Sequence, residues 1–500
     1  MTAPLPTPPS ATPLYRAADI RQLEAAARNQ PLMERAGWAA ADLAARLHRE
    51  GPILILAGPG NNGGDAYVAA RHLRARGLEI ALVALGDPEQ SPADASQARQ
   101  RYLEAGGTLL AAIPDTGPWG LVMDGLFGIG LQRPLAGDYA SAVAQANALA
   151  SRDRCPLLAL DCPSGLDGDT GAAPGPTIDA SHTLTFIAQK PGLLTLEGPD
   201  HCGQVALADL ELNAPALLPA PGWTVGKEMF SPWLQPRRRN SHKGSYGSVG
   251  ILGGAPGMTG AALLAGRAAL LLGSGRVFVG LADPKAPALD PLQAELMLRP
   301  AATLFAAPLT ALAVGPGLGQ TAEAGALLEQ ALSTRLPLVL DADGLNLLAA
   351  DPTLAPALCS RSAPALLTPH PAEAARLLDS DLAAIQNDRI GAATAIARQY
   401  GSWVALKGAG TVIAAPDGRW WINTSGNPGQ AAAGQGDILT GMAVSLLAQG
   451  WPPEAALTGA VHLHGAAADH LVQNGTGPAG LTASETALAA REVFNFWCRA

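Results

Sequence analysis

The chain has 500 residues, of which 48% are hydrophobic and 15% charged, with a formal net charge of −9. That length exceeds what one hydrophobic core organises, so two domains are expected, and the apolar content excludes a disordered chain. The acidic balance argues against a nucleic-acid partner, and the short basic run Arg237–Arg238–Arg239 reads as a solvated loop.

In chain order, residues 1–13 are rich in Pro, Thr and Ala and lack the basic start and apolar core of a secretory signal, so a flexible tail is expected. Residues 17–50 carry a helical spacing of apolar positions. Strand-like runs follow at 53–57, 80–85, 121–123 and 157–160, separated by helical stretches at 67–76 and 140–150. This is the rhythm of a parallel sheet covered on both faces, and it delimits a first domain over 14–212. From 213 to 226 periodicity fades and prolines gather, as in a linker. A second alternation fills 227–500, with strands expected at 248–252, 277–280, 311–314, 336–340, 365–367, 403–406 and 411–414 and a buried Ala/Leu helix over 261–272. Motif order does not repeat between the halves, which points to a fusion of unlike α/β domains.

The uncharged stretch 300–322 has the length of a membrane span, but Pro308 and Gly315-Pro316-Gly317 interrupt it, and a strand followed by a glycine turn fits better. No membrane partner is expected. Five scattered cysteines without a CxxC pair suit reduced thiols in a cytoplasmic protein, and histidine is too sparse for a zinc site.

In the first half, the strand ILILA runs into Gly58-Pro59-Gly60-Asn61-Asn62-Gly63-Gly64-Asp65 and then a helix. Glycines permit a tight turn and bring backbone N–H groups to phosphate oxygens at the positive end of that helix, in a Rossmann-like parallel α/β sandwich. Gly58, Gly60 and Gly63 satisfy GxGxxG, and Asp87 ends the next strand where a ribose-binding acid is expected, so a dinucleotide-binding dehydrogenase is an alternative. The turn, however, carries more side-chain oxygen than pyrophosphate binding needs, in Asn61, Asn62 and Asp65. Two later strand ends also open into glycine-bearing loops at an aspartate, at Asp124 and Asp161. Asn62, Asp124, Asp161 and Ser164 are therefore expected to converge at the carboxyl ends of the strands, as hard oxygen ligands for a cation.

The stretches GPGNNGGDAYVAAR, MDGLFGIGLQRP, DCPSGLDGDTG and TFIAQKPGL resemble, in order, the motifs of the NAD(P)H-hydrate epimerases. The resemblance implies a potassium ion on Asn62, Asp124 and Ser164, with Asp161 as acid/base and Lys190 assisting. It implies substrate contacts from Asn61, Asn62, Gly63, Gly64 and Asp65, and from Gly128, Ile129, Gly130, Leu131, Gln132, Arg133 and Pro134. Ala66 departs from the Gly common in that family.

In the second half, Gly426-Asn427-Pro428-Gly429 precedes Ala433-Gly434-Gln435-Gly436-Asp437 and a helix. A glycine turn at a helix N-terminus offers an anion hole of N–H groups, and Asp437 stands where a hydroxyl could lose its proton, a layout suited to phosphoryl transfer onto an alcohol. No P-loop sequence and no protein-kinase signature is present. SHKGSYGSVGILGG, VGPGLG, DADGLN, TPHPAE, LKGAGT and AGQGD resemble the ADP- or ATP-dependent NAD(P)H-hydrate dehydratases, which have a ribokinase-like α/β fold. That resemblance implies Asp437 as base, with Ala261, Gly317 and His370 on the substrate. Lys407, Gly408, Ala409, Gly410, Thr411 and Gly436 would lie on an adenine nucleotide that brings Mg²⁺. Gln435 departs from the smaller or apolar residues often found at its position. Asp341 and Asp343 read equally well as a carboxylate pair for Mg²⁺ or as loop caps, and stay outside the catalytic set.

Together the resemblances imply repair of hydrated NADH and NADPH by a homo-oligomeric enzyme, one half interconverting R and S epimers and the other dehydrating the S form. The alternatives are a sugar or vitamin kinase with a dinucleotide-sensing N-terminal domain, and an idle binding protein.

Overall fold

The computed structural model describes residues 7, 9–114, 117–131 and 133–499. The chain divides into two compact units, Pro13–Gly222 and Trp223–Ala500 together with Met1–Thr12.

In the first unit, parallel strands lie in the spatial order Leu109–Leu110, Ile80–Ala84, Ile53–Ala57, Leu121–Gly125, Leu157–Leu160, His182–Phe186 and Gln204–Ala208. Every residue of Ile53–Ala57 is buried, because alternate side chains enter different cores. Ile53, Ile55 and Ala57 join the core shared with the helices Leu32–Leu47 and Asn61–Ala75, while Leu54 and Leu56 join the one shared with Gly137–Asp153. Small residues let the first two helices approach closely: a Cβ on Gly37 would stand 2.3 Å from Cβ of Val68. The chain steps from Ile53–Ala57 outward to Ile80–Ala84 and Leu109–Leu110, then returns to Leu121–Gly125 on the other side. The crevice between Ile53–Ala57 and Leu121–Gly125 is thus a switch point, where open α/β sheets bind ligands.

Three expectations for this half change. The helical stretch 17–50 is two helices, Ala17–Ala26 and Leu32–Leu47, with Pro31 as the cap of the second. The helix expected at 67 begins at Asn61, inside the glycine run. The segment 213–226 is structured, with a helix at Ala214–Leu217 and a strand at Gly222–Thr224, and the Tyr15 hydroxyl donates to the Leu218 carbonyl at 2.9 Å.

In the second unit the strands run in the order Gly222–Thr224, Trp420–Ile422, Val412–Ala414, Trp403–Leu406, Ala365–Leu367, Leu338–Leu340, Ala311–Val314, Ser248–Gly253, Arg276–Leu281 and Met297–Pro300. Pairing is parallel from Trp403–Leu406 to Met297–Pro300 and antiparallel from Trp403–Leu406 through Val412–Ala414 to Trp420–Ile422. The helix Thr259–Leu271 buries Ala262, Ala265, Ala268 and Ala269, as expected of a core helix. It meets the helix Gln435–Ala448 at backbone distance, since a Cβ on Gly441 would lie 2.1 Å from the Ala265 carbonyl oxygen. Residues 9–12, expected to be part of a flexible tail, are held to this unit. Thr12 N donates to Thr224 Oγ1 at 2.8 Å, Thr224 N to Thr12 O at 2.8 Å and Lys227 N to Pro9 O at 2.7 Å. Main-chain pairing of this kind leaves no trace in composition.

Arg237 of the basic run donates to Gln449 Oε1 at 3.2 Å and lies 3.7 Å over the Tyr246 ring. The stretch 300–322 forms a short 3₁₀ segment, the strand Ala311–Val314 and a glycine turn. Among the described residues no helix is long and apolar enough to cross a membrane.

Candidate active sites

In the first unit two of the motif glycines are required by close backbone approach. A Cβ on Gly58 would lie 1.9 Å from the Leu126 carbonyl oxygen, and one on Gly63 1.9 Å from that of Gly58. Gly60 has open space at that position, so the mouth of the turn faces away from the packing. This seats the start of the helix Asn61–Ala75 against the end of strand Leu121–Gly125.

Asp124, at that strand end, is fully buried. Its Oδ1 accepts from the Ser164 hydroxyl at 2.7 Å and from Leu126 N at 3.1 Å, and its Oδ2 accepts from Ser164 N at 2.8 Å. Burial pushes the carboxyl up to about 6, although the bonds from Ser164 and Leu126 oppose that shift. Asn62, 7% exposed, has neither its amide oxygen nor its amide nitrogen hydrogen-bonded. A buried amide without partners costs on the order of 1–3 kcal/mol, and a cation received by its oxygen offsets that cost. An amide, a hydroxyl and one carboxylate form a donor set of low charge, which fits a monovalent ion.

Asp161 follows strand Leu157–Leu160 in the left-handed region, at φ +62, a conformation that Asp tolerates better than most residues. Its Oδ1 accepts from Lys190 Nζ at 2.5 Å and its Oδ2 from Ile129 N at 3.2 Å. Lys190 is fully buried, and its other protons go to Thr185 Oγ1 at 2.9 Å and the Phe186 carbonyl at 2.8 Å. The ammonium is thus fixed by three acceptors in one direction. Asp65 is buried too. Desolvation first, then the charges of Asp161 and Glu24, hold its carboxyl well above the usual range despite Lys190. Glu24, on the helix Ala17–Ala26, is raised by burial and by Asp161. Glu24 lies in none of the sequence motifs.

Of the loop expected on the substrate, Gly128 and Ile129 abut Asp161, where a Cβ on Gly128 would come 2.6 Å from Asp161 Oδ2. Gly130, Arg133 and Pro134 are exposed, Leu131 is partly buried, and Gln132 lies outside the described residues. Asn61 is exposed, whereas Gly63 and Gly64 are buried.

In the second unit the strand ends deliver a second lysine-carboxylate group. Lys407, after strand Trp403–Leu406, donates to Asp341 Oδ1 at 2.7 Å, and the Thr440 hydroxyl donates to Asp341 Oδ2 at 2.8 Å. A Cβ on Gly436 would stand 3.4 Å from Lys407 Nζ, so the ammonium faces the first turn of the helix Gln435–Ala448. Burial alone would lower the Lys407 ammonium, but Asp341 and Glu373 outweigh it and hold it above its ordinary value. Asp437 is raised to about 7, by burial first and by Asp341 second, with Lys407 opposing. Asp341 therefore belongs to the site. Asp343 does not share that role: it accepts from Gly319 N at 2.9 Å and Gln320 Nε2 at 3.1 Å, as an anchor of the glycine turn.

His370 caps the helix Pro371–Leu377. Its Nδ1 accepts from Ala372 N at 3.1 Å and Glu373 N at 3.3 Å, which leaves the proton on Nε2, 3.3 Å from Glu373 Oε1. Burial, then Lys407, lowers its pKa, so the ring is neutral near pH 7. Ala261 and Gly317 face each other, since a Cβ on Gly317, at φ +56, would be 3.3 Å from that of Ala261. The loop 407–411 is backed by Arg389, 2% exposed, which donates to the carbonyls of Leu406 and Lys407 at 3.2 Å each. Thr411 O accepts from Asn423 N at 2.9 Å.

The glycine turn is clamped from the helix Pro453–Gln473. Asp469 accepts from Gly426 N at 2.8 Å and Asn427 Nδ2 at 2.9 Å. His464 Nδ1 accepts from Gln430 Nε2 at 2.8 Å, and its Nε2 donates to Gln435 Oε1 at 3.0 Å. Gln435 in turn donates to Thr486 Oγ1 at 3.1 Å. His464 thus ties the GNPG turn to the helix that carries Asp437, and burial lowers it to about 4, so it stays neutral. The Gln435 that departs from the usual pattern is a link in this chain.

Residues 29–192 match a model of the YjeF-related protein N-terminus, and residues 249–488 match one of NAD(P)H-hydrate dehydratase. The chain is 37% identical to a bifunctional NAD(P)H-hydrate repair enzyme of Escherichia coli (strain K12), over 96% of this chain and 94% of that one. It is also 37% identical to its counterpart in Moorella thermoacetica, over 91% and 92% of the two chains. Among solved structures, the ADP/ATP-dependent NAD(P)H-hydrate dehydratase from Bacillus subtilis, co-crystallised with ATP/Mg²⁺, matches at 33% identity and a TM-score of 0.49, over 55% of this chain and 98% of that chain. Likeness across nearly the full length of both chains, with both domain models present in order, places this chain in the family of bifunctional NAD(P)H-hydrate repair enzymes.

Proposed function

We propose that the first unit interconverts the R and S epimers of hydrated NADH and NADPH, and that the second removes water from the S epimer at the expense of ADP or ATP. The observation that carries this reading is that each unit brings a lysine and an aspartate together at the carboxyl edge of its parallel sheet: Lys190 bonded to Asp161, and Lys407 facing Gly436, the residue before Asp437, where a Cβ would stand 3.4 Å from its Nζ.

In the first unit the hydroxyl-bearing ring carbon loses water, pushed by the ring nitrogen lone pair, and water adds back to the opposite face. Asp161, held in place by the Lys190 ammonium, takes the proton of the adding water. The departing hydroxyl is protonated by Asp65, whose surroundings favour its acid form. Residues 61–65 and 128–134 hold the dinucleotide. Asn62, Asp124 and Ser164 would hold a potassium ion, which supplies positive charge beside the substrate's phosphates.

In the second unit Asp437 takes the proton of the substrate hydroxyl, whose oxygen attacks the terminal phosphorus of ADP or ATP. N–H groups at residues 434–436 and the Lys407 ammonium accept the developing negative charge, and AMP or ADP leaves. The phosphate ester departs as inorganic phosphate, again driven by the ring nitrogen, and loss of a proton from the adjacent carbon restores the double bond. A carboxyl raised to about 7 is a stronger base than an ordinary one. Ala261, Gly317 and His370 hold the substrate, and 407–411 with Gly436 hold the nucleotide. Mg²⁺ would enter with the nucleotide's phosphates. The cytoplasm, where five unpaired thiols persist, is the expected compartment.

The test is to add ADP and Mg²⁺ to the full chain with S-hydrate and follow the return of dihydronicotinamide absorbance with release of inorganic phosphate. A stable phosphorylated product instead would select the kinase reading.

A further inference from the structure

A cavity of about 270 Å³ opens at the carboxyl edge of the first unit's sheet. It is lined by the residues after strands Ile53–Ala57, Ile80–Ala84 and Leu109–Leu110, among them Gly58, Tyr67, Asp87, Arg99 and Ala111. Asp161 follows strand Leu157–Leu160, three places along the sheet from Ile80–Ala84. At about 4.8 Å per strand the two lie roughly 14 Å apart along the edge. The Gly58 turn stands between them, at the switch point of the sheet.

The cavity wall has a defined chemistry. Arg99, partly buried on the helix Ala93–Glu104, lines the cavity together with the buried Tyr67, whose pKa its charge lowers against the larger effect of burial. Gly86, at φ +91, turns the chain after the strand Ile80–Ala84, and Asp87 follows it in the cavity lining. Asp87 is exposed, and each of its oxygens takes one local bond, from Glu89 N at 3.0 Å and Gln90 Nε2 at 3.2 Å, so lone pairs remain for a diol. Leu109, Leu110 and Pro88 supply apolar surface suited to a flat ring. The volume lies just below the roughly 300–1,000 Å³ of pockets that hold whole small ligands, so part of a dinucleotide fits and all of it does not.

We propose that this cavity is the subsite for the adenosine end of the hydrated dinucleotide, with Asp87 accepting the ribose hydroxyls and Arg99 facing a 2′-phosphate. The inference rests on reading the first unit as the epimerase. A carboxylate and a guanidinium in the same lining let one cavity take both substrates: Asp87 favours a free 2′-hydroxyl and Arg99 a phosphorylated one. The diphosphate then crosses the Gly58–Asp65 turn, and the hydrated ring reaches Asp161.

The test uses the full chain without ADP, so that dehydration is idle, and follows loss of one epimer of each hydrate by chromatography. The readout is the ratio of kcat/KM for the hydrate of NADPH to that for the hydrate of NADH. Arg99→Ala is expected to lower this ratio about tenfold or more, and Asp87→Asn to raise it, with Arg99→Lys recovering part of the loss. An unchanged ratio in all three variants, with wild-type protein epimerising both hydrates, overturns the subsite and leaves the epimerase reading intact. Failure of wild-type protein to epimerise either hydrate overturns that reading, and the subsite with it. If Arg99→Ala does not fold, the exposed Asp87→Asn carries the test alone.

Discussion

Lys407 and Asp341 are joined by a 2.7 Å ion pair, and the charge of Asp341 is also a cause of the raised pKa of Asp437. One carboxylate therefore orients the cation of the site and tunes its base. In Asp341→Asn the negative charge that raised Asp437 is gone while Lys407, which lowers it, remains. The acid limb of the dehydration pH profile should move below about 7, and KM for ADP should rise because Lys407 loses its anchor. A pH profile of kcat for wild type and variant checks this. An unmoved midpoint would mean that Asp341 acts only on geometry.

Asp437→Asn should abolish dehydration and leave epimerisation in place, since the lost group serves only the second unit's reaction. It should also stabilise the fold in a pH-dependent way. The folded-state carboxyl is raised from 3.8 to about 7, so the folded protein holds its proton more tightly than the unfolded chain. That contribution is complete below 3.8 and is lost as pH rises to about 7. The variant has no such loss, so its advantage in Tm should grow from pH 5 to about 7 and then level off, as thermal melts at several pH values would reveal.

The clamp through His464 makes a different prediction. With Nδ1 accepting from Gln430 and Nε2 donating to Gln435, the ring must carry one proton and no charge. Its pKa is depressed from 6.5 to about 4, so the stability tied to it is present above 6.5 and lost as pH falls through about 4. His464→Leu should lower kcat for dehydration tenfold or more through a displaced Asp437 backbone, a cost of about 1.4 kcal/mol or above. His464→Asn, which can still bridge an amide on one side, should retain more activity. Equal loss in both variants, with KM and kcat changing together, would mark the residue as a packing group.

Much of this was legible in the chain, because the chemistry sits where strands end. Buried β runs such as Ile53–Ala57 and Trp403–Leu406 have the apolar continuity of a parallel sheet, and glycine turns with aspartates follow them. What escaped notice depends on pairings distant in sequence. The edge strand Gln204–Ala208 is half exposed, and its short apolar run Val205–Ala208 does not by itself distinguish strand from helix. Glu24, His464 and Asp469 each lie far from the motif they serve, and Asp341, which the sequence marks only as a metal ligand or a loop cap, takes its role from Lys407, 66 residues away. The helix Pro453–Gln473 reads as core packing until its polar side chains are seen reaching the glycine turn.

The last prediction concerns the cation, and it turns on the difference between Asn62 and its two companions. Asp124 and Ser164 satisfy each other through two hydrogen bonds, so both have a structural use without any ion. The Asn62 side chain makes no such bond, so its amide oxygen is left to receive a cation. Asn62→Ala should therefore cost little stability in protein stripped of potassium, because no protein hydrogen bond is lost. It should also remove most of the stabilisation that added potassium brings to wild type, which follows RT ln(1 + [L]/Kd). Asp124→Ala should be destabilising with or without the ion, since it leaves Ser164 N and Leu126 N without their buried acceptor, at about 1–3 kcal/mol. Both variants should lose epimerase activity and keep dehydration of pure S substrate. Melting curves in potassium, sodium and choline chloride separate these cases, and anomalous density from crystals soaked in thallium or rubidium locates the ion. A potassium-dependent Tm that is the same in Asn62→Ala as in wild type, or heavy-ion density away from these three side chains, would show that the ion binds elsewhere.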